Sequence, residues 1–291
     1  MFSLIGNTPC VQLPGTSIYV KLEEYNWGGS IKSRVGYQMM IDAEEDGRID
    51  TLHPEKNTII EGTGGNTGIG IAQVCALRGY HCILVVPDNY SKVRVEVLRR
   101  LGAEVILSDH RRGNCSHFEL VDQLLIAHPE YIPMYQLSNP SNVKAHYIGT
   151  GPELLKQVPD LTHFIAGVGS GGTLTGTGCY LKEQKPSVKV IAVQPEGCNV
   201  LKGIAFPHKI EGIAIGRVPE ILDQSLIDDV ISVSDDEVIM RQDAIAKRFG
   251  LFLGYSSIAN IIAAEKLSRE TEGVFATVAP DSGRNYLHKE D

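Results

Sequence analysis

Apolar positions along the chain switch between two patterns. Short runs of buried-type residues alternate with longer stretches in which apolar residues recur every three or four positions. Residues 17–22 (Ser-Ile-Tyr-Val-Lys-Leu) read as a strand. Val35, Met39, Met40 and Ala43 give a helix from Lys32 to about Asp46, stopped by Gly47. A short buried strand at 58–60 runs into Glu61-Gly62-Thr63-Gly64-Gly65-Asn66-Thr67-Gly68, and a helix follows to about Arg78. A strand at 82–86 ends at Pro87-Asp88-Asn89. Ser91 stands where a cap belongs for a helix to Leu101, and Gly102 ends it. Residues 104–107 read as a strand, and 115–128 contain a helix.

The second half has the same rhythm. It predicts a helix within 145–158, a strand at 163–166, a glycine-rich stretch at 167–173 and a helix to about Gln184. Strands follow at 188–193 and 230–233, helices at 235–249 and 256–267, and a last strand at 274–278. Strands alternating with helices imply an α/β chain with mostly parallel sheets flanked by helices. Two such runs imply two α/β lobes, 1–145 and 146–291. The least regular part is 195–224.

Composition narrows the class. The chain has 291 residues, 43% of them apolar and 21% charged, enough for a substantial core. A formal charge of −8 without a basic run argues against a nucleic-acid surface. No apolar run reaches membrane-span length. The N-terminal residues lack both the basic and the long apolar region of a signal peptide, so a cytoplasmic location is expected. The six cysteines form no Cys-x-x-Cys pair and no cluster with histidine at metal spacing, so no metal site is expected.

Three stretches carry candidate chemistry. Gly28-Gly29-Ser30-Ile31-Lys32 is a turn that delivers one lysine to the start of a helix. Two glycine-rich turns each follow a strand and open a helix, which aims backbone N–H groups at an anion. The turn Gly169-Ser170-Gly171-Gly172-Thr173 suits a phosphate monoester. It lacks the Gly-Lys-Ser/Thr ending of a nucleotide loop. Thr63-Gly64-Gly65-Asn66-Thr67 suits a carboxylate, with an amide available from Asn66. Tight packing is the alternative role for either turn, and a surface lysine the alternative for Lys32.

Taken together and in order, the motifs resemble a known family. They are Ile5-Gly6-Asn7-Thr8-Pro9, Gly28-Gly29-Ser30-x-Lys32-x-Arg34, Gly65-Asn66-Thr67-Gly68 and Gln136-x-x-Asn139-Pro140. Thr150-Gly151-Pro152-Glu153, the 169–173 turn, Gly254-x-Ser256-Ser257 and Pro280-Asp281-Ser282-Gly283 follow. This series resembles the cysteine synthase (O-acetylserine sulfhydrylase) and cystathionine β-synthase family over about residues 4–287. Pro87-Asp88-Asn89-x-Ser91, Ala145-His146-Tyr147 and Gln194-Pro195-Glu196-Gly197 lean toward the B-type cysteine synthases.

The resemblance implies fold type II, similar to the tryptophan synthase β subunit, with pyridoxal 5′-phosphate between the lobes and about residues 5–25 crossing to the other lobe. It implies that Lys32 forms the internal aldimine and later serves as the base at Cα. Asn66 would contact the cofactor's 3′-oxygen, residues 169–173 its phosphate, and Ser256 its ring nitrogen, a helix N-cap being the alternative for that serine. Thr63, Gly65, Thr67 and Gln136 would bind the amino acid's carboxylate. Gly64, Gly212 and Arg217 complete the substrate-facing set. A neutral serine at the ring nitrogen favours prompt loss of a β-leaving group. The implied reaction is β-replacement on O-acetylserine by sulfide, giving L-cysteine through an aminoacrylate. Alternatives are O-phosphoserine as donor, a homocysteine or cystathionine-type nucleophile, a β-lyase, or a catalytically dead binding homologue. The family is usually homodimeric, and in some members the tail of serine acetyltransferase enters the active site.

The chain also departs from that pattern. Ser33 stands where Asp is usual, and Gly62 and Gly64 where Pro and Ser are usual. Ile258 replaces a Gly. Gly212-Ile213-Ala214-Ile215-Gly216-Arg217 replaces the common Gly-Ile-Gly-Ala-Gly-Phe, so Arg217 could meet an anionic group on either substrate. The altered 62–64 and 212–217 loops argue against the acetyltransferase partner.

Overall fold

The computed structural model describes residues 1–63, 65–113 and 115–287. They form two sheets. In chain order the elements begin with β1 (Cys10–Gln12), β2 (Ile18–Leu22), α1 (Lys32–Glu45), β3 (Thr58–Gly62) and α2 (Asn66–Arg78). They continue with β4 (His81–Pro87), α3 (Lys92–Arg100), β5 (Glu104–Ser108), α4 (Ser116–Ala127), β6 (Ile132–Pro133), α5 (Pro140–Ala145) and α6 (Gly151–Gln157). The chain closes with β7 (His163–Gly167), α7 (Gly172–Gln184), β8 (Lys189–Pro195), β9 (Asp229–Val233), α8 (Asp235–Phe249), α9 (Tyr255–Glu270) and β10 (Phe275–Ala279).

One sheet has the order β5-β4-β3-β6 and is wholly parallel. The other has the order β1-β2-β10-β7-β8-β9, with only β1 antiparallel. Parallel strands need crossovers, and helices then cover both faces. That is why His81–Pro87 is an unbroken apolar run after its first residue: both its faces are buried. Val35, Ile71 and Val95 of α1, α2 and α3 join one cluster against the four-stranded sheet, and Val121 of α4 joins the other. On the six-stranded sheet, α8 and α9 pack one face and α6 and α7 the other. The first half of α9 is buried all round, including Ile258.

The helix expected within 145–158 is α6, and a π-helical stretch, His146–Thr150, joins it to α5. Two expectations need correcting. Ser91 occupies the cap position of α3 without a side-chain cap hydrogen bond. Ser256 lies inside the first turn of α9, and Gly254 holds the N-cap position. The short strands β1 and β6 escaped the periodicity because two or three residues show no period. Among the described residues no helix is long and apolar enough to cross a membrane. All six cysteines are free thiols.

Both glycine-rich turns follow strands at which the strand order reverses. β4 lies on one side of β3 and β6 on the other. β8 lies on one side of β7 and β10 on the other. The crevice outside the carboxyl end of such a strand is where open α/β sheets bind ligands.

Candidate active site

The turn carrying Lys32 is pinned from below. Ile31 N donates to Pro280 O at 2.8 Å, just beyond β10, and Ser30 bridges to Asp281. Ser33 Oγ accepts the Gly28 amide at 2.9 Å, so the serine at this departure holds the Gly-Gly turn closed.

Beneath α1 lies a buried ionic network. The Arg34 guanidinium meets Glu23 at 2.7 and 2.9 Å and Glu153 at 2.7 Å through each terminal nitrogen. Lys21 Nζ reaches Glu153 at 2.8 Å, and the Thr8 hydroxyl donates to Glu23 at 2.7 Å. Burial would raise the Glu23 and Glu153 pKa values, but Arg34 above all outweighs it: Glu23 is lowered, and Glu153 falls to about 2. Two cations and two carboxylates thus neutralise one another, with both arginine arms used in fork geometry. The 5–9, 32–34 and 150–153 motifs meet here, supporting Lys32 from beneath.

Lys32 itself points into the crevice. Its Nζ donates to Ser170 Oγ at 3.1 Å, which brings the lysine to the 169–173 turn. Burial pulls its pKa down to about 8, and the Glu61 charge opposes that shift. Glu61, at the end of β3, is itself raised to about 7 by burial. No sequence pattern marked Glu61; it stood only as the residue between the strand at 58–60 and the glycine-rich turn.

The 169–173 turn is fixed by backbone packing. A Cβ at Gly169 would overlap the Gly212 carbonyl oxygen, so only glycine fits. Gly171 has φ +86°, and Gly172 and Thr173 begin α7. Asn142, wholly buried, donates through Nδ2 to Ser170 Oγ at 3.0 Å and to Gln136 O at 2.7 Å. It ties this turn to the other side of the crevice, and its Oδ1 has no partner among the described residues. Asn142 was missed because its motif signal ended at Asn139-Pro140. Thr173 Oγ1 lies 3.2 Å from His146 Nε2. Burial, with the charges of Lys32 and Arg34, holds that imidazole neutral.

Opposite, Gly65 N donates to Thr63 Oγ1 at 3.2 Å, and Asn66 and Thr67 open α2. Gly64 lies outside the described residues. The Thr67 hydroxyl donates to Gln136 Oε1 at 2.7 Å, and Gln136 Nε2 donates to Glu61 at 3.0 Å. Gln136 is therefore committed to Thr67 and Glu61, and the Thr67 proton to Gln136, so in this arrangement neither side chain donates to a substrate carboxylate. Asn66 Nδ2 donates to Asp281 Oδ2 at 2.7 Å, and Tyr286 donates to the same oxygen at 2.8 Å. Burial raises the Asp281 pKa. Ser256 is buried at the start of α9.

The loop after β8 closes the outer side. Ala214 N donates to Val168 O at 2.9 Å, and Gly212 packs on Gly169. Glu211 pairs with Arg94 of α3 at 3.1 Å, and Arg94 lies 4.7 Å over the Tyr286 ring. Arg217 lies 5.4 Å over the ring of Phe118, in α4. The structure thus brings Lys32, Ser170, Glu61, Gln136 and Thr67 into one connected group, with Gly212 behind it and Arg217 at its rim.

A family model described as pyridoxal-phosphate dependent enzyme matches residues 1–280. The cysteine synthase of Staphylococcus aureus is 38% identical over 295 residues, covering 98% of this chain and 94% of its own. Among solved structures, an O-acetylserine dependent cystathionine β-synthase from Helicobacter pylori is 36% identical with a TM-score of 0.91, covering 99% of this chain and 96% of its own. A hydrogen sulfide-producing enzyme from Fusobacterium nucleatum is 38% identical with a TM-score of 0.91, covering 98% and 97%.

Proposed function

The chain belongs to the pyridoxal-phosphate dependent enzymes, and from that membership we propose that it replaces the β-substituent of O-acetyl-L-serine with sulfide to make L-cysteine. Its similarity to a cysteine synthase over nearly the full length of both chains supports this reading. So does its similarity to an enzyme named for O-acetylserine dependence. The observation that carries it is the position of Lys32 Nζ, 3.1 Å from Ser170 in the glycine turn and with its pKa brought to about 8.

The residues present fit the cofactor. A turn in which only glycine fits at 169 opens a helix, with the Ser170 and Thr173 hydroxyls beside it. An amine that loses its proton near neutral pH reaches that turn. Lys32 would hold the cofactor's aldehyde, residues 169–173 its phosphate, Asn66 its ring oxygen and Ser256 its ring nitrogen. When bound, pyridoxal phosphate supplies an electron sink that acidifies the amino acid's α-proton.

The chain's own groups supply the rest. Lys32 Nζ takes that proton, because burial has lowered its affinity for protons into the working range. The start of α2, with the Thr63 hydroxyl beside it, holds the α-carboxylate at the positive end of the helix. Glu61 fixes Gln136, which in turn orients the Thr67 hydroxyl. The neutral Ser256 leaves the ring nitrogen without a full countercharge, which favours departure of the β-substituent over return of the α-proton. A homodimer acting in the cytoplasm belongs to the same reading.

Holoenzyme given O-acetyl-L-serine should change colour, and sulfide should then restore the original spectrum with release of cysteine. Absence of both colour change and cysteine at millimolar substrate would sink the reading. A second reading, with another donor or nucleophile, draws on the rim arginine, which meets no carboxylate among the described residues.

A further inference from the structure

One cluster at the rim has no part in the proposed β-replacement. At the end of β3, a Cβ on Gly62 would lie 3.1 Å from Phe118 Cδ1 and 3.2 Å from the His117 carbonyl oxygen. The missing side chain lets the first turn of α4 settle against the residue that precedes Thr63. His117 is 9% exposed, and its Nδ1 is buried without a hydrogen-bond partner among the described residues. It is one of nine such atoms among the described residues, and each leaves a hydrogen-bonding site open.

Arg217 comes to the same place from the other sheet's side. Its loop is tied to Val168 through Ala214 and to Gly169 through Gly212, so its origin is fixed. The guanidinium rests 5.4 Å over Phe118 and makes no hydrogen bond or ion pair among the described residues. Glu211, the one acidic residue of that loop between 211 and 217, is paired with Arg94 at 3.1 Å. Stacking on an aromatic face leaves the donor edge of a guanidinium open, and that edge matches a carboxylate or phosphate in fork geometry. Burial, and then the charge of Arg217, holds the His117 pKa down at about 4, so the imidazole stays neutral and offers one N–H and one lone pair.

We propose that Arg217 and His117 form a subsite for a second anionic group, a carboxylate or a phosphate, on one of the two substrates. This is distinct from the α-carboxylate assigned to the start of α2. The group belongs either to the donor's β-substituent or to the nucleophile. Phe118 is the platform that aims the arginine, and Gly62 is what admits the platform. The inference rests on the β-replacement reading.

The test separates the two sources by half-reaction on the holoenzyme. Donor selectivity is the kcat/KM ratio of O-phospho-L-serine to O-acetyl-L-serine. Nucleophile selectivity is the same ratio for 2-mercaptoacetate to sulfide. Arg217→Ala should lower one of these ratios at least tenfold, and Arg217→Lys should recover part of the loss. Which ratio falls names the substrate that carries the anion. If both ratios stay within twofold of wild type, the proposal is overturned.

A readout independent of turnover uses the His117 ring resonances in the holoenzyme. Inorganic phosphate or 2-mercaptoacetate should shift them in the wild type and not in Arg217→Ala. Resonances that ignore both anions in the wild type also overturn the subsite. If no donor and nucleophile pair gives a product while the ring still responds, the β-replacement reading has failed and the subsite has not.

Discussion

The base of the crevice and its rim are built on opposite principles. At the base every charge is answered: Arg34 lies between Glu23 and Glu153, Lys21 adds a second cation, and Thr8 takes a remaining carboxylate lone pair. The 169–173 turn is held by backbone against backbone. At the rim, contacts run between side chains: Arg94 with Glu211, Arg217 on Phe118, and His117 with an unserved nitrogen. Close-packed, neutralised structure fixes where a cofactor sits. A loose edge of side chains can change without disturbing it. The departures at Gly62 and Arg217 belong to the rim. Those at the base, Ser33 and Ile258, are absorbed by a turn hydrogen bond and by core packing.

The largest expected effect tests the base at its centre. Lys32→Ala should lower turnover by about a thousandfold or more while the circular dichroism spectrum is kept. Turnover within tenfold of wild type would remove the lysine from the chemistry. Next is the network beneath it. Arg34→Met leaves two carboxylates facing each other without their shared partner, a loss of about 3–5 kcal/mol in urea unfolding. A loss below about 1 kcal/mol would mean the network does not hold the base together.

The two turns should then part company. Gly169→Ala forces the Gly212 carbonyl to move, so pyridoxal phosphate should bind at least about tenfold more weakly, roughly 1.4 kcal/mol. Among the described residues a Cβ at Gly65 would meet only the end of Arg94, at 3.4 Å, so Gly65→Ala should raise the KM for the amino acid more than the Kd for the cofactor. Equal losses of cofactor in both variants would mean that the two turns do not divide cofactor from substrate.

Acidity sharpens the same contrast. Lys32 carries its proton below about pH 8 in the folded protein, so cofactor-free enzyme should take up pyridoxal phosphate faster as pH rises through that value. The Glu61 charge holds the lysine's pKa up, so Glu61→Gln should move the midpoint to lower pH. A midpoint that moves upward would reverse the assigned sign. The smallest effect belongs to the rim pair. Arg94→Ala should cost at most about 1 kcal/mol of stability, because the pair is partly exposed.

Much of this was legible in the chain, for stated physical reasons. The order of strands and helices follows from period alone, and Lys32 with the two glycine turns stood out because the other motifs stand around them in order. Glu61, Asn142 and His117 did not. Each looks ordinary in sequence, and its role depends on a neighbour 28 or more residues away: Asn142 on Ser170, Glu61 on Gln136, His117 on Arg217. Arg34 was visible as part of a motif, but not as the centre of an ion network, because Glu23 and Glu153 join it only through the fold.

The placement of β10 dictates when the protein can finish folding. The strand lies between β2 and β7, with Phe275 beside Ile18 on one side and His163 on the other. While the chain is being made, the six-stranded sheet therefore lacks an inner strand until residue 279 has emerged. β1 and β2, among the first segments synthesised, wait almost the whole time for their neighbour. The four-stranded sheet uses only residues 58–133 and carries no such delay. Synthesis should therefore proceed with one half ordered and the other open, its strand edges in need of protection from neighbouring chains.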